Sequence, residues 1–218
     1  METPPLVRVT YMYKEYVGKI KDEHYEEPYG IHGVRHIKRV LYLAEKISAH
    51  YDLTEKEKKI LALSVCYHDI GRWHNDVDPD HGKLSAIKMA ELGLLDGEEL
   101  DFIEKELIHH LIVCHCLGDD SFKGTPREKL LFQIVKDADG LDRVRIFDLD
   151  PCYLRLRESR ELVDFAWMLF LNRNWEQQMM EKENHICKYC GGIAKGDCED
   201  LLCDDCRMLF GHTLYSEL

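Results

Sequence analysis

The sequence predicts an all-α protein, and three observations predict it. Apolar residues recur three and four apart in one segment after another, polar helix-start signals precede several of those segments, and few stretches alternate with period two. Toward the C-terminal end the texture changes: Gly and Cys become dense and the helical period is lost. The expected layout is a helical body over residues 1–183 and a small module over 184–218, with a boundary near Glu183–Asn184.

Taken in order, the first clear helix spans Val34 to His50, with Ile37, Val40, Leu41, Ala44 and Ile47 on one face. The next opens at Thr54 with Glu57 three residues on, a capping box. It runs through Ile60, Leu61, Leu63 and Val65 to His68-Asp69-Ile70, where Gly71 is expected to stop it as a C-terminal cap. A polar loop, Trp73 to Asp80, leads to a helix over about His81 to Leu92. Asp96-Gly97-Glu98-Glu99 reads as the cap of a helix reaching about Cys116. Thr125-Pro126-Arg127-Glu128 combines a capping Thr, a first-turn Pro and a Glu at the third position, and starts a helix that delivers Asp137 and Asp139. A last long helix is expected from about Ser159 to Met180.

The chain of 218 residues suits one substantial domain plus a small module, and its 45% apolar content suits a packed core. A formal net charge of -12 argues against an extended nucleic-acid-binding face. It leaves room for a phosphate-bearing small molecule, which a few local Arg and Lys residues can hold. Neither a secretory signal nor a run of about 18 apolar residues is present, so a membrane partner is not expected. Nine Cys, four of them in two Cys-x-x-Cys pairs, read as metal binding in a reducing, cytoplasmic setting.

Metal-type ligands fall at or near helix ends in four stretches: His32 to Val40, Tyr67 to Arg72, Asp80 to Lys83, and Lys136 to Arg143. Imidazole with carboxylate suits a first-row divalent ion that keeps open positions for water. His68 and Asp69 point about 100° apart on an ideal helix, so they share an ion only near the helix end, with further ligands from neighbouring helices.

The order His36-x-x-Arg39-Val40, then His68-Asp69-Ile70-Gly71, then Asp139 within Lys-Asp-Ala-Asp-Gly-Leu-Asp resembles the HD superfamily of metal-dependent phosphohydrolases, over roughly residues 30–145. The resemblance implies an HD-like helical bundle in which His36, His68, Asp69 and Asp139 bind the metal, with His68 and Asp69 at the centre of catalysis. Many members hold a second ion through two extra histidines. His81 resembles one, and His109, His110 or His115 the other, with His115 favoured for its place at a helix end. The Gly-Tyr-Pro signature of the cyclic-dinucleotide branch is absent. His32 is a candidate to orient a ligand, while His24, His50, His74 and His212 are expected at the surface. Arg39, Arg72, Lys83 and Arg143 are candidates to contact substrate phosphate, or to pair with the many carboxylates.

The expected activity is hydrolysis of a phosphomonoester or phosphodiester of a nucleotide by a metal-activated water, with Mn, Ni, Co, Fe or Zn at the His/Asp site. A di-iron oxygenase and a non-catalytic nucleotide sensor are the alternatives. Cys187, Cys190, Cys203 and Cys206, with twelve residues between the pairs, are expected to form a four-thiolate structural zinc knuckle or ribbon. Cys198 is left over. Such a module folds largely on its zinc and is a candidate to dock a protein partner.

Overall fold

The structure, a computed structural model, describes residues 12–177. Among these residues there is no strand. Contacts divide the chain into a first unit ending at Glu161 and a second beginning at Leu162. The first contains α1 (Met12–Tyr16), α2 (Val34–Ser48), α3 (Glu55–Tyr67), α4 (His81–Glu91), α5 (Phe102–Cys114), α6 (Pro126–Leu141) and α7 (Arg157–Glu161). The second, over its described residues, contains α8 (Val163–Leu171). The expected zinc ligands Cys187, Cys190, Cys203 and Cys206, the boundary near Glu183–Asn184, and His212 lie outside the described residues.

The first unit is built around α3. Its second half, Ile60 to Tyr67, is buried at every position, so the helix is apolar all round there and packs against α1, α2, α5 and α6. Ile37, Leu41 and Ile47 of α2, Leu61 and Leu63 of α3, Ile108 and Leu111 of α5, and Ile134 and Leu141 of α6 are fully enclosed. At roughly 2 kcal/mol for each such side chain, this core is the main stabilising term of the unit. Thr54 with Glu57 and Thr125 with Glu128 close the expected capping boxes, each side-chain oxygen accepting the N–H three residues on.

Three expectations about helix ends are corrected. The cap of α5 is Asp101, which accepts the N–H of Glu104 at 2.9 Å while Glu104 returns to the N–H of Asp101 at 2.8 Å. The Asp96–Glu99 signal instead falls in a turn where Gly97 adopts φ +78°. Gly71 does not end α3 in a left-handed conformation. A Cβ there would lie 2.2 Å from the backbone N of Ser85, so Gly71 is required because α4 passes against it. The long helix from Ser159 is interrupted: Leu162 leaves the helical range at φ -96° and ψ 5°, and α8 stops at Leu171. Asn172 then accepts the N–H of Asn174 at 3.1 Å, an Asx turn that competes with the helix. His50 is exposed as expected, but His24 is buried and His74 is half-buried.

Candidate metal centre

Five helices bring their ends together in the first unit. His36 lies in the first turn of α2, and His81 is the first residue of α4. His68 and His115 are the residues that close α3 and α5, and Asp69 follows at once. Asp139 lies in the last turn of α6, and Asp142 is its terminal cap. Helix ends suit this task because the last carbonyls of a helix have no partner within it, and those of Val65 and Ile112 accept from the imidazoles of His68 and His115. Gly82 allows a close approach: a Cβ on it would lie 2.7 Å from the carbonyl oxygen of Ile112, so α4 and α5 meet just where His81 and His115 stand.

Each imidazole is held by its Nδ1. That of His68 donates to the Val65 carbonyl at 2.8 Å, that of His115 to the Ile112 carbonyl at 2.6 Å, and that of His81 to the Asp78 carbonyl. The Nδ1 of His36 meets the Asp142 carboxylate at 2.7 Å. A carbonyl or carboxylate can only accept, so the proton sits on Nδ1 and every Nε2 presents a lone pair inward.

These lone pairs surround Asp69. Its Oδ2 lies 3.5 Å from His36 Nε2 and 3.8 Å from His68 Nε2, while its Oδ1 lies 3.3 Å from His81 Nε2 and 3.5 Å from His115 Nε2. Asp139 Oδ1 adds a contact of 3.4 Å to His36 Nε2 and of 4.0 Å to His68 Nε2. Bonds of about 2.0–2.2 Å put ligand atoms about 3–3.5 Å apart around one ion, so these separations are those of a ligand shell. Nε2 of His36, Nε2 of His68 and Oδ1 of Asp69 are buried without a hydrogen-bond partner, a costly arrangement that a divalent cation satisfies. The residues therefore fit a divalent ion, and the triplets His36–His68–Asp139 and His68–Asp69–His115 each converge within 4.8 Å.

The electrostatics of His68, Asp69 and Asp139 agree with ligation; at His115 burial lowers the imidazole but the Asp69 carboxylate outweighs it and raises it above the usual range, so an ion there displaces a proton. Burial pushes His68 down to about 3, which keeps it neutral and able to ligate at neutral pH. Burial works against the charge on Asp69, but the facing imidazoles, His68 first, hold it well below the usual carboxylate range. Asp139 is likewise opposed by burial and held low by His36 and His68.

A cavity of about 680 Å³ opens over the cluster, with Asp69, His81, His115 and Asp139 in its wall. Arg72 and Arg143, two of the four candidates to contact phosphate, line it. Arg72 Nε is buried without a hydrogen-bond partner, 3.5 Å from Asp69 Oδ1. Arg143 is exposed and pairs with Asp148. Arg39 and Lys83 are corrections. Arg39 shares the face of His36, and that face meets Asp142, so its guanidinium is spent there and does not line the cavity. Lys83 lies about 200° round α4 from His81 and points to solvent.

His32 Nδ1 stands 3.1 Å from both Asp69 Oδ2 and Arg145 Nη2, so its single proton or lone pair can serve only one of them at a time. Of the alternatives for the extra histidine, His115 is brought to the cluster. His109 and His110 line a separate groove beside Ile103 and Lys123. Sequence reasoning missed three residues. Asp142, fully buried, lies three after Asp139 and so shares its face, a signal that spacing carried. Arg145 and Cys116 line the cavity, Cys116 as a third donor near His81 and His115, and nothing in their local pattern marked them.

A family model, that of the HD domain, matches residues 33–144, just over half of the chain. No curated protein and no solved structure matches the chain.

Proposed function

This chain belongs to the HD domain family, and from that premise we propose that it is a metal-dependent phosphohydrolase acting on a phosphomonoester or phosphodiester of a nucleotide. The observation that carries the reading is the set of four Nε2 lone pairs converging on the two oxygens of Asp69, three of the inward-facing atoms being buried without a partner.

His36, His68, Asp69 and Asp139 would hold one divalent ion. His81 and His115, with Oδ1 of Asp69, would hold a second. When bound, such ions supply a water acidified to near-neutral pH and neutralise charge on the phosphoryl oxygens. The chain contributes the rest. Arg72, whose Nε is ion-paired with Asp69 but makes no hydrogen bond, lines the same cavity as Arg143 and Arg145, so guanidinium groups would meet phosphate oxygens where the ligands end. Burial lowers His68 and His81 and so favours their neutral, ligating form.

The test uses the full chain, stripped with chelator and reloaded separately with Mn, Co, Ni, Fe(II) or Zn. Nucleoside monophosphates, cyclic nucleotides, nitrophenyl phosphate and its diester are then screened. Turnover of a phosphate ester that requires added metal is the expected result. Nucleotide binding with no turnover under any metal would favour the sensor reading, and oxygen consumption with iron would favour the oxygenase.

The C-terminal cysteines carry a separate proposal: Cys187, Cys190, Cys203 and Cys206 hold structural zinc in a module that docks a protein partner. Ser substitution at Cys187 and Cys203 should remove one zinc equivalent and leave the Mn-binding capacity of the His/Asp cluster intact.

A further inference from the structure

Of the four imidazoles that turn their Nε2 to Asp69, three rest their Nδ1 on backbone carbonyls. His36 alone rests on a carboxylate, Asp142, at 2.7 Å. That carboxylate is fully buried, which is costly unless its lone pairs and charge are met. Arg39 meets them with a two-pronged contact, Nε to Oδ1 at 2.5 Å and Nη2 to Oδ2 at 2.9 Å. Arg145 adds a bond from Nη1 to the Asp142 carbonyl at 3.1 Å and stands 3.8 Å from Oδ2. The three partners come from separate turns: His36 and Arg39 from α2, and Arg145 from the segment following α6.

We infer that Asp142, clamped by Arg39, is a positioning residue that fixes the tautomer and ring orientation of His36 and strengthens it as a metal ligand. The inference rests on the metal-centre reading above. Its physical basis is that an anionic acceptor on Nδ1 makes the far nitrogen a better donor than a neutral carbonyl does, and sets the ring plane at the same time. Arg39 supplies what keeps the buried carboxylate anionic and correctly turned. An amide cannot replace it: three donors converge on two oxygens, and an NH2 group at either position opposes at least one of them.

A buried ion pair serving only the packing of α2 on α6 would not act on a metal. Asp137 provides that comparison on the same helix. It is equally buried, accepts the N–H of Arg155 at 2.9 Å and of Leu156 at 2.8 Å, and touches no ligand of the cluster.

The experiment is Mn(II) titration of the full chain followed by electron paramagnetic resonance, because Mn(II) avoids thiolate sites and so reports on the His/Asp cluster. Asp142→Asn should weaken, by ten- to a hundredfold, the Mn equivalent that His36→Ala abolishes. Asp137→Asn should lower the melting temperature and leave Mn affinity within twofold of wild type. Should Asp142→Asn not fold, Arg39→Lys retains the positive charge, loses the fork and carries the same test, with a several-fold loss expected. Wild-type Mn affinity in a folded Asp142→Asn or Arg39→Lys chain overturns the inference alone. A wild-type chain that binds no Mn, Co, Ni, Fe(II) or Zn at the cluster overturns the metal-centre reading on which it rests.

Discussion

His81 and His115 hold their Nε2 atoms 2.9 Å apart, one at the start of α4 and the other at the end of α5. Both Nδ1 protons go to backbone carbonyls, so when the two rings are neutral their Nε2 lone pairs face each other beside Asp69 Oδ1. A cation relieves that contact. His81→Ala and His115→Ala are each expected to lose one Mn equivalent and about a hundredfold in turnover, the loss of several kcal/mol of charge stabilisation being worth at least that much. Metal analysis and initial rates on the same preparations check it, and full metal content in both variants would limit the centre to one ion.

Asp69 faces both groups of imidazoles, so its removal should be the most damaging single change. Asp69→Ala is expected to fold, to bind no more than traces of Mn, and to show turnover at background. A folded Asp69→Ala chain with wild-type rates would sink the phosphohydrolase assignment.

Metal should also stabilise the fold, because the stripped cluster leaves buried polar atoms unpaired. Mn at a hundredfold excess over its dissociation constant contributes about 2.7 kcal/mol. For a chain of this size that raises the melting temperature by roughly 5–10 °C. Calorimetry with and without Mn, zinc held constant, measures it; no shift would mean that the cluster does not bind the ion.

Glu45 gives a pH signature far from the metal. Burial pushes its carboxyl up to about 7, against the pull of the Tyr13 N–H and of Lys46 and Lys14. A carboxyl raised in the folded state binds more proton there than when unfolded, so its stabilising share is full below the ordinary value of 4.5 and is lost as pH rises toward 7. Glu45→Gln keeps an acceptor for Tyr13 and removes the charge. It should be more stable than wild type at pH 8, by up to about 3 kcal/mol, and should lose that advantage at pH 5. Parallel urea unfolding at the two values decides; an advantage independent of pH would contradict the shift.

Gly71→Ala tests the close approach that brings α4 to the cluster. Its Cβ would meet backbone, which cannot move aside as a side chain can. A destabilisation of about 3 kcal/mol is expected, with weaker Mn binding because His81 is carried on the displaced helix. A neutral substitution would show that α4 can retreat freely.

Much of this protein was legible without coordinates. The periodic stripes of α2 and α6, the capping boxes at Thr54 and Thr125, and the motif residues His36, His68, Asp69 and Asp139 are local patterns, set by backbone hydrogen bonding and by side-chain spacing within a few residues. What failed was also local in appearance but tertiary in cause. Asp96 and Asp101 both look like caps, and only the closed box with Glu104 separates them. Gly71 looks like a helix stop, yet its role is set by Ser85, fourteen residues away, passing within a Cβ radius.

By itself the sequence determined that the chain is helical, that its ligand-type residues gather at helix ends, and which family motifs those residues compose. Tertiary structure alone decided which residues meet. It brought His115 and not His109 or His110 to His81, turned Arg39 onto Asp142, sent Lys83 to solvent and brought Arg145 beside His32. The physical reason is range. A helix and its cap are decided within one or two turns, whereas the convergence of five helix ends depends on how close-packed apolar faces and missing Cβ atoms let the helices approach.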